Sequence, residues 1–188
     1  MRKSREEAAE TRKRIVRAAA REFRERGIVA TGLADLMKAA GLTHGGFYKH
    51  FASKDQLVAE ATVVAMDSIL EELAAHPTVD SAVAGYLSTR HRDNPASGCP
   101  LAALGGELAR SDKKARAAAT AGFVRLVDIL AGKASTADVR RQALIAAVTI
   151  IGAVTMSRVV SDPKLSAEIL GAARLVSATI GIDRSVSR

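Results

Sequence analysis

The chain has 188 residues, enough for one or two small domains, and 48% of them are apolar, so the sequence can bury a core and is not a disordered tail. Its 28 Lys and Arg against 20 Asp and Glu give a net charge of +8, and residues 1–60 alone carry 13 basic and 8 acidic side chains. Such a surface favours a polyanionic partner, nucleic acid first, although Lys and Arg also serve solubility. The single cysteine excludes an intramolecular disulfide framework and favours a cytoplasmic protein.

Neither a secretory signal nor a membrane span is expected. The N-terminus is charged, and no apolar stretch follows it. The longest apolar run, residues 143–160, is interrupted by Thr149, Gly152 and Arg158 and is shorter than the roughly 20 residues that a spanning helix needs. We interpret this run as a helix that is buried on most sides, either by the core or by a second subunit.

Hydrophobic spacing predicts helices in the N-terminal part of the chain. The predicted helices cover residues of about 5–26, 33–40, 44–50 and 54–75. In the first helix Ile15, Ala19 and Phe23 recur four residues apart, and a glycine follows as the helix ends. Thr43 and Ser53 are the expected N-caps of the third and fourth helices.

The remaining sequence continues as helices with no alternating strand pattern. The predicted helices cover residues of about 79–90, 100–110, 112–132, 137–161 and 165–181. Pro77 and Pro163 break the chain, residues 93–98 are expected to form a loop, and residues 132–136 a turn. Pro100 suits the first position of its helix. The expected fold is therefore all-α, with about nine helices.

Residues 33–51 show the order helix, glycine-containing turn, short helix, which is the layout of a helix-turn-helix. Gly41 lies where the chain must reverse, because glycine tolerates a positive φ. Leu36, Leu42 and Phe47 can form the small core that sets the angle between the two helices. Two ordinary packed helices are the alternative, because sequence matches to this motif are frequently false.

Residues 11–57 resemble the N-terminal domain of the TetR family of bacterial transcriptional repressors, of TetR/AcrR type. The most specific part is residues 46–57, which read Gly-Phe-Tyr-Lys-His-Phe-Ala-Ser-Lys-Asp-Gln-Leu. Gly46 and Gly32 depart from the small polar residues that are common in the family, and Met37 replaces a common alanine. Resemblance implies a three-helix helix-turn-helix domain over residues 1–53 and a helical ligand-binding and dimerisation domain over residues 54–188.

The resemblance also implies a homodimer on a palindromic double-stranded DNA operator, released by a small-molecule effector. The side chains expected near phosphates are Thr31, Tyr48, His50 and Lys54. The residues expected at base edges are Thr43, His44, Gly45 and Lys49. These residues suit the roles, because hydroxyl, imidazole and ammonium groups donate to anionic oxygen and lysine can also donate to guanine. A structural hydrogen bond for His50 and a solvated charge for Lys49 remain alternatives.

Two further residue sets are candidates in the second domain. The candidate lining of a ligand pocket is Tyr86, Cys99, Leu104, Leu108, Phe123, Val127 and Met156. The candidate dimer interface is Ala147, Gly152, Val159, Leu170 and Ala173. Ordinary core packing is the alternative for both sets. Cys99 is expected at the N-cap before Pro100, where a helix N-terminus can lower the pKa of a thiol.

We therefore expect a DNA-binding regulator, not an enzyme, with no cofactor and no metal site, since the four histidines are scattered. One alternative is a helical ligand-binding protein with only non-specific affinity for DNA. The other is a repressor that senses oxidants or electrophiles through Cys99.

Overall fold

The computed structural model describes residues 5–132 and 136–179, and side chains up to residue 175. These residues form nine α-helices and two 3-10 helices, and none of them lies in a strand, so the all-α expectation is confirmed. The α-helices are α1 (Arg5–Arg26), α2 (Leu33–Ala39), α3 (Lys54–Ala74), α4 (Val79–Tyr86), α5 (Thr89–Asp93), α6 (Pro100–Leu108), α7 (Lys113–Ala131), α8 (Ala137–Val159) and α9 (Pro163–Thr179). The 3-10 helices are His44–Lys49 and Pro95–Ser97.

Three elements differ from the sequence prediction. The helix expected over 79–90 is divided into α4 and α5, because Ser88 begins a new helix by accepting a hydrogen bond from the backbone N–H of His91 at 3.1 Å. The segment expected as a short helix over 44–50 is a single 3-10 helix, consistent with two adjacent glycines that disfavour an α-helix. A second 3-10 helix lies within the expected loop. Residues 133–135 of the expected turn and the expected helix end near 181 lie outside the described residues.

Two apolar cores hold the molecule together, and α3 contributes to both. The N-terminal core contains side chains of α1, α2, the first 3-10 helix and the first half of α3. Its largest fully buried side chains include Phe23, Phe47 and Phe51. The C-terminal core joins the second half of α3 to α4 and α6 to α9. The domain division expected after residue 53 thus falls at the start of a helix that both cores share.

Helix α8 is long and apolar enough to cross a membrane by length and composition. In this fold it packs against α6, α7 and α9, and its buried side includes Ala143, Ile150 and Val154. A core helix satisfies the same compositional test, so composition assigns no membrane role to α8.

Gly122 allows α7 to approach α3 closely. A Cβ atom at this position would lie 2.5 Å from Cγ of Met66 and 3.0 Å from its Cβ. These Met66 atoms lie near its backbone and cannot swing away as the end of a flexible side chain can. The packing of α3 against α7 therefore depends on the absence of a side chain at Gly122.

His91 joins three elements through its imidazole. Its Nδ1 lies 2.7 Å from the carbonyl oxygen of Tyr86, and its Nε2 accepts from the backbone N–H of Cys99 at 2.9 Å. This arrangement requires the neutral tautomer that carries its proton on Nδ1. Burial lowers the pKa of His91, and the charges of Arg158 and Arg24 act in the same direction. The hydrogen bond to Tyr86 and the charge of Glu72 oppose this effect.

The close helix approach predicts opposite effects for alanine at two helical glycines. Gly122→Ala should destabilise the fold by about 1–3 kcal/mol, because overpacking outweighs the gain in helix propensity. Gly105→Ala on α6 has nothing within 4 Å of the added Cβ and should stabilise by up to about 1 kcal/mol. Urea denaturation of both variants measures the difference. Equal stabilities would contradict the assigned contact with Met66.

The neutral state of His91 predicts a loss of stability in acid. An unfolded histidine takes up a proton near its ordinary pKa of 6.5, whereas the folded His91 resists protonation, so the unfolded state binds more protons as the pH falls. The free energy of unfolding should therefore decrease between about pH 7.5 and about pH 5.5. His91→Gln should flatten this dependence, and His44→Gln, at an exposed position, should not. Parallel profiles for all three proteins would refute the assignment.

Candidate functional site

The turn between α2 and the first 3-10 helix is built as the sequence predicted. Gly41 has φ +68°, in the left-handed region, and the N–H of Leu42 bonds to the carbonyl of Met37 at 2.8 Å. Thr43 and Ser53 occupy their expected N-cap positions. Ser53 accepts a hydrogen bond from Gln56, whereas the side chain of Thr43 makes no capping bond.

Two departures from the family pattern lie against each other in this motif. A Cβ on Gly46 would lie 3.3 Å from Cε of Met37, whose side chain is fully buried. The larger residue on α2 and the missing side chain at Gly46 thus complement each other in volume. The recognition surface has no side chain to offer at this position.

The first 3-10 helix has one buried side and one exposed side. Phe47 is fully buried and stacks on Phe51 with ring centroids 5.6 Å apart. Tyr48 packs edge-on against Phe47, yet 69% of its surface is exposed. The exposed residues of this segment are Thr43, His44, Gly45, Tyr48 and Lys49. The structure thus brings together on one surface all four residues expected at base edges and one residue expected at a phosphate.

Thr31 and Lys54 lie differently from the sequence expectation. Thr31 is 1% exposed, and its hydroxyl donates to the carbonyl of Gly27 at 2.6 Å. The ammonium of Lys54 donates to the carbonyls of Ile28 at 2.6 Å and Thr31 at 2.7 Å. Both side chains therefore hold the link between α1 and α2, and only the third ammonium proton of Lys54 is left for an anion.

His50 ends the first 3-10 helix and is partly buried. Its carbonyl accepts from Nε of Arg12 at 3.3 Å. The same guanidinium forms a bidentate pair with Glu60 and lies 4.5 Å from the ring centroid of Phe51. Arg12 thus connects α1, the recognition segment and α3. Sequence reasoning missed this pair, because 48 residues separate its partners and no local spacing relates them.

A second long-range contact, also missed from the sequence, comes from Glu107 on α6. Its carboxylate accepts from the backbone N–H groups of Ile28 at 3.0 Å and Val29 at 2.9 Å. The link between α1 and α2 is therefore held by Lys54 from one side and by Glu107 from another. Glu107 connects the helix-turn-helix to the second core.

A cavity of about 270 Å³ opens between α3, α4 and the segment that leads into α6. Tyr86 is the one member of the predicted pocket set among its lining residues. Leu104 and Leu108 instead pack in the N-terminal core, and Val127 and Phe123 pack in the C-terminal core. Met156 points outward, because its position on α8 faces away from the core. Helical spacing marks these positions as apolar but does not say which cavity they face.

Cys99 is the N-cap of α6, as expected, but its thiol lies in a different environment. It is 1% exposed, and burial raises its pKa, although contacts with Tyr86 and backbone N–H groups of α6 oppose this shift. The direction is opposite to the one expected from the helix N-terminus alone, because desolvation disfavours the thiolate more than these contacts favour it.

The predicted dimer residues divide between two sides of α8 and α9. Ala147, Leu170 and Ala173 are buried in the chain's own C-terminal core, so these three assignments are corrected. Val159 is exposed, and a Cβ on Gly152 would meet nothing within 4 Å. The exposed large apolar side chains of the two helices are Ile145, Val148, Met156, Val159, Leu165 and Leu175. Residues 145, 148, 152, 156 and 159 lie on one helical face, which we call the α8 stripe.

No group of three or more His, Cys, Asp or Glu side chains suited to a metal ion occurs in the part of the chain that the structure describes.

Comparison with known proteins gives a consistent result for the N-terminal part. Residues 15–61 match the family model described as bacterial regulatory proteins, tetR family. The HTH-type transcriptional regulator TtgR of Pseudomonas putida is 48% identical over 58 residues, which are 31% of this chain and 28% of TtgR. The chain thus matches little more than a quarter of the length of this relative. An uncharacterized HTH-type regulator of Mycobacterium tuberculosis, MT0206, is 29% identical over 170 residues, covering 80% of this chain and 86% of that protein.

Solved structures share the complete fold. The crystal structure of the reduced form of Escherichia coli NemR has a TM-score of 0.75 at 18% identity and covers 95% of this chain and 100% of its own. A TetR-family transcriptional regulator from Cytophaga hutchinsonii has a TM-score of 0.72 at 22% identity and covers 99% and 100%. The helix-turn-helix geometry, the family match over residues 15–61 and these folds agree, and the chain belongs to the TetR family of bacterial regulatory proteins.

Proposed function

We propose that this protein is a homodimeric transcriptional regulator that binds a specific DNA operator and is released from it by a small molecule. The observation that carries the proposal is the row of exposed polar residues from Thr43 to Lys49 on a rigidly held helix-turn-helix. Phe47 and Arg12 anchor this segment from beneath. A segment held in this way can enter the major groove with its side chains already in place.

The surface divides into two kinds of contact. The Tyr48 hydroxyl and the remaining proton of Lys54 suit phosphates, and we retain His50 in this group as a proposal. Thr43, His44 and Lys49 suit base edges, where threonine contacts a thymine methyl and lysine donates to guanine. Gly45 and Gly46 add no side chains and let the backbone approach the base pairs.

The α8 stripe supports a homodimer. Val148 is 60% exposed and Val159 is 68% exposed, and the open position at Gly152 lies between them on the same face. A second copy related by a two-fold axis would cover this apolar surface with its own α8 and α9. Such a dimer presents two recognition segments, which bind half-sites about 34 Å apart, so the operator is palindromic.

Helix α6 offers a route from the cavity to the DNA surface. Before its first turn, the carbonyl of Gly98 in the cavity wall accepts from Arg24 of α1 at 2.6 Å. In its last turn, Glu107 holds the backbone of Ile28 and Val29. A ligand that displaces α6 would change both contacts and shift the population of dimers whose recognition segments match the operator.

A protein with only non-specific affinity for DNA is the competing possibility, and the missing side chain at Gly46 favours it. Purely electrostatic binding has no specificity ratio and weakens steeply with salt. Selection of binding sites from a random DNA pool at about 150 mM salt separates the two. A recovered two-fold symmetric motif supports the operator proposal, and recovery without a motif supports the competitor. Sensing through Cys99 has less support, because its thiol is buried.

The division between phosphate and base contacts predicts two kinds of binding defect. Tyr48→Phe removes one phosphate donor and retains the ring on Phe47, so it should weaken binding to every operator variant by about tenfold. Lys49→Ala and His44→Ala should relax base preference at one position in each half-site, where discrimination falls by about 1–3 kcal/mol. Fluorescence anisotropy with operator variants measures both. A uniform loss for all three proteins would contradict the division.

The α8 stripe predicts where a charge disrupts the dimer. Val148→Glu places a carboxylate in the proposed interface, so it should raise the dimer dissociation constant at least about a hundredfold, since burying an unpaired charge costs several kcal/mol. Val63→Glu, at an exposed valine of α3, should leave the association unchanged. Analytical ultracentrifugation of both variants is the measurement. A dimeric Val148→Glu protein would show that another surface mediates association.

A further inference from the structure

The cavity between α3, α4 and the α6 entry combines an apolar wall with a polar mouth. Ile69, Leu73 and the ring of Tyr86 form apolar lining. Glu72 and Arg90 also line it and form a loose pair at 3.9 Å, with the Arg90 side chain largely exposed. Its volume of about 270 Å³ lies just below the range of roughly 300–1,000 Å³ that is typical of drug-sized ligands. The shape suits a compact ligand with one apolar body.

Positive charge surrounds this cavity without matching carboxylates. Arg24 is buried and donates to the carbonyls of Gly98 and Ala20. Arg158 is half-buried, donates to the carbonyls of His91 and Arg92, and its Nη2 lies 3.4 Å from where a Cβ on Gly98 would be. Among the described residues, neither guanidinium forms an ion pair. Burial lowers the pKa of Arg24 to about 10, which reflects the cost of holding that charge away from water.

Two buried donors near the cavity lack acceptors. The hydroxyl of Tyr86, whose side chain is 97% buried, and Nη1 of Arg158 are the buried side-chain atoms without a hydrogen-bond partner in the described part of the chain. They lie near each other, since the charge of Arg158 lowers the pKa of Tyr86 against the stronger effect of burial, which raises it. Buried polar groups are normally satisfied, so two unmet donors at one place indicate a missing acceptor.

The neighbouring imidazole cannot supply this acceptor. The ring of His91 packs edge-on against Tyr86 at 4.5 Å between centroids, and both of its nitrogens are already engaged, with the Tyr86 carbonyl and the Cys99 N–H. The acceptor must therefore come from a molecule that enters the site. An anionic oxygen satisfies both donors and offsets the unpaired guanidinium charge.

We propose that this cavity binds a small organic monocarboxylate, with its apolar body on Ile69 and Leu73 and its carboxylate on the Tyr86 hydroxyl and the Arg158 guanidinium. The charges around the site disfavour a cationic ligand, because Arg24 and Arg158 would repel it. The volume disfavours a large polycyclic drug. This proposal gives the effector of the proposed regulator a chemical class and rests on that function only for its biological consequence, not for the binding itself.

The test uses three probes of nearly equal size and different charge on the full-length protein without DNA. The probes are 3-fluorobenzoate, 3-fluorobenzamide and 3-fluorobenzylamine, and fluorine NMR titration measures their dissociation constants. The acid should bind in the millimolar range or tighter, the amide should bind at least about tenfold more weakly, and the amine should not bind. Tyr86→Phe removes only the hydroxyl and should weaken the acid by about tenfold while leaving the amide unchanged.

Arg158→Met tests the second donor, with Arg116→Met on the exposed surface of α7 as the matched control. The first should abolish the preference for acid over amide, and the second should preserve it. If Arg158→Met does not fold, Tyr86→Phe decides alone. Equal binding of acid and amide, unchanged acid binding in Tyr86→Phe, or no binding of the acid up to about 10 mM each overturns the proposal. DNA selection fails or succeeds independently of these titrations, so the two proposals are judged separately.

Discussion

The link between α1 and α2 is the constraint on which the DNA-binding surface depends. Residues 27–32 have no regular structure, so their backbone groups must find partners outside a helix. Lys54 donates to two of their carbonyls, and Glu107 accepts from two of their N–H groups. Opposite charges from α3 and α6 therefore hold one short segment in place. The angle of α2, and with it the recognition segment, follows from these contacts.

This arrangement also explains why α6 belongs functionally to both halves of the molecule. Its apolar residues Leu104 and Leu108 pack in the N-terminal core, whereas its entry segment forms the wall of the cavity. Most of the chain between the cores is regular helix, which transmits displacement without bending. A change at Gly98 therefore has a short path to Ile28, through one helix of nine residues.

The buried polar groups beside the cavity contrast with the apolar cores around them. His91 has both ring nitrogens satisfied, and its bonds connect α4 to the start of α6. Tyr86 and Arg158 have unmet donors at nearly the same place. Since unsatisfied buried donors reduce stability, they are tolerated mainly where something else requires them. The contrast between the two neighbouring groups points to binding more than to folding.

Local sequence determined the helices and the motif, because helix periodicity, glycines at turns and capping residues act within a few positions of each other. Ile15, Ala19 and Phe23 indicated the buried face of α1, and Gly41 and Ser53 indicated where the next elements end and begin. The exposed row from Thr43 to Lys49 follows from the same local pattern. Tertiary structure alone decided which of two apolar faces of α8 is buried, so Ala147 packs inside while Met156 and Val159 face outward. It also decided the partners of Arg12, Lys54 and Glu107 and the burial of Cys99, because those contacts join residues far apart in the chain, whose meeting depends on how the helices pack.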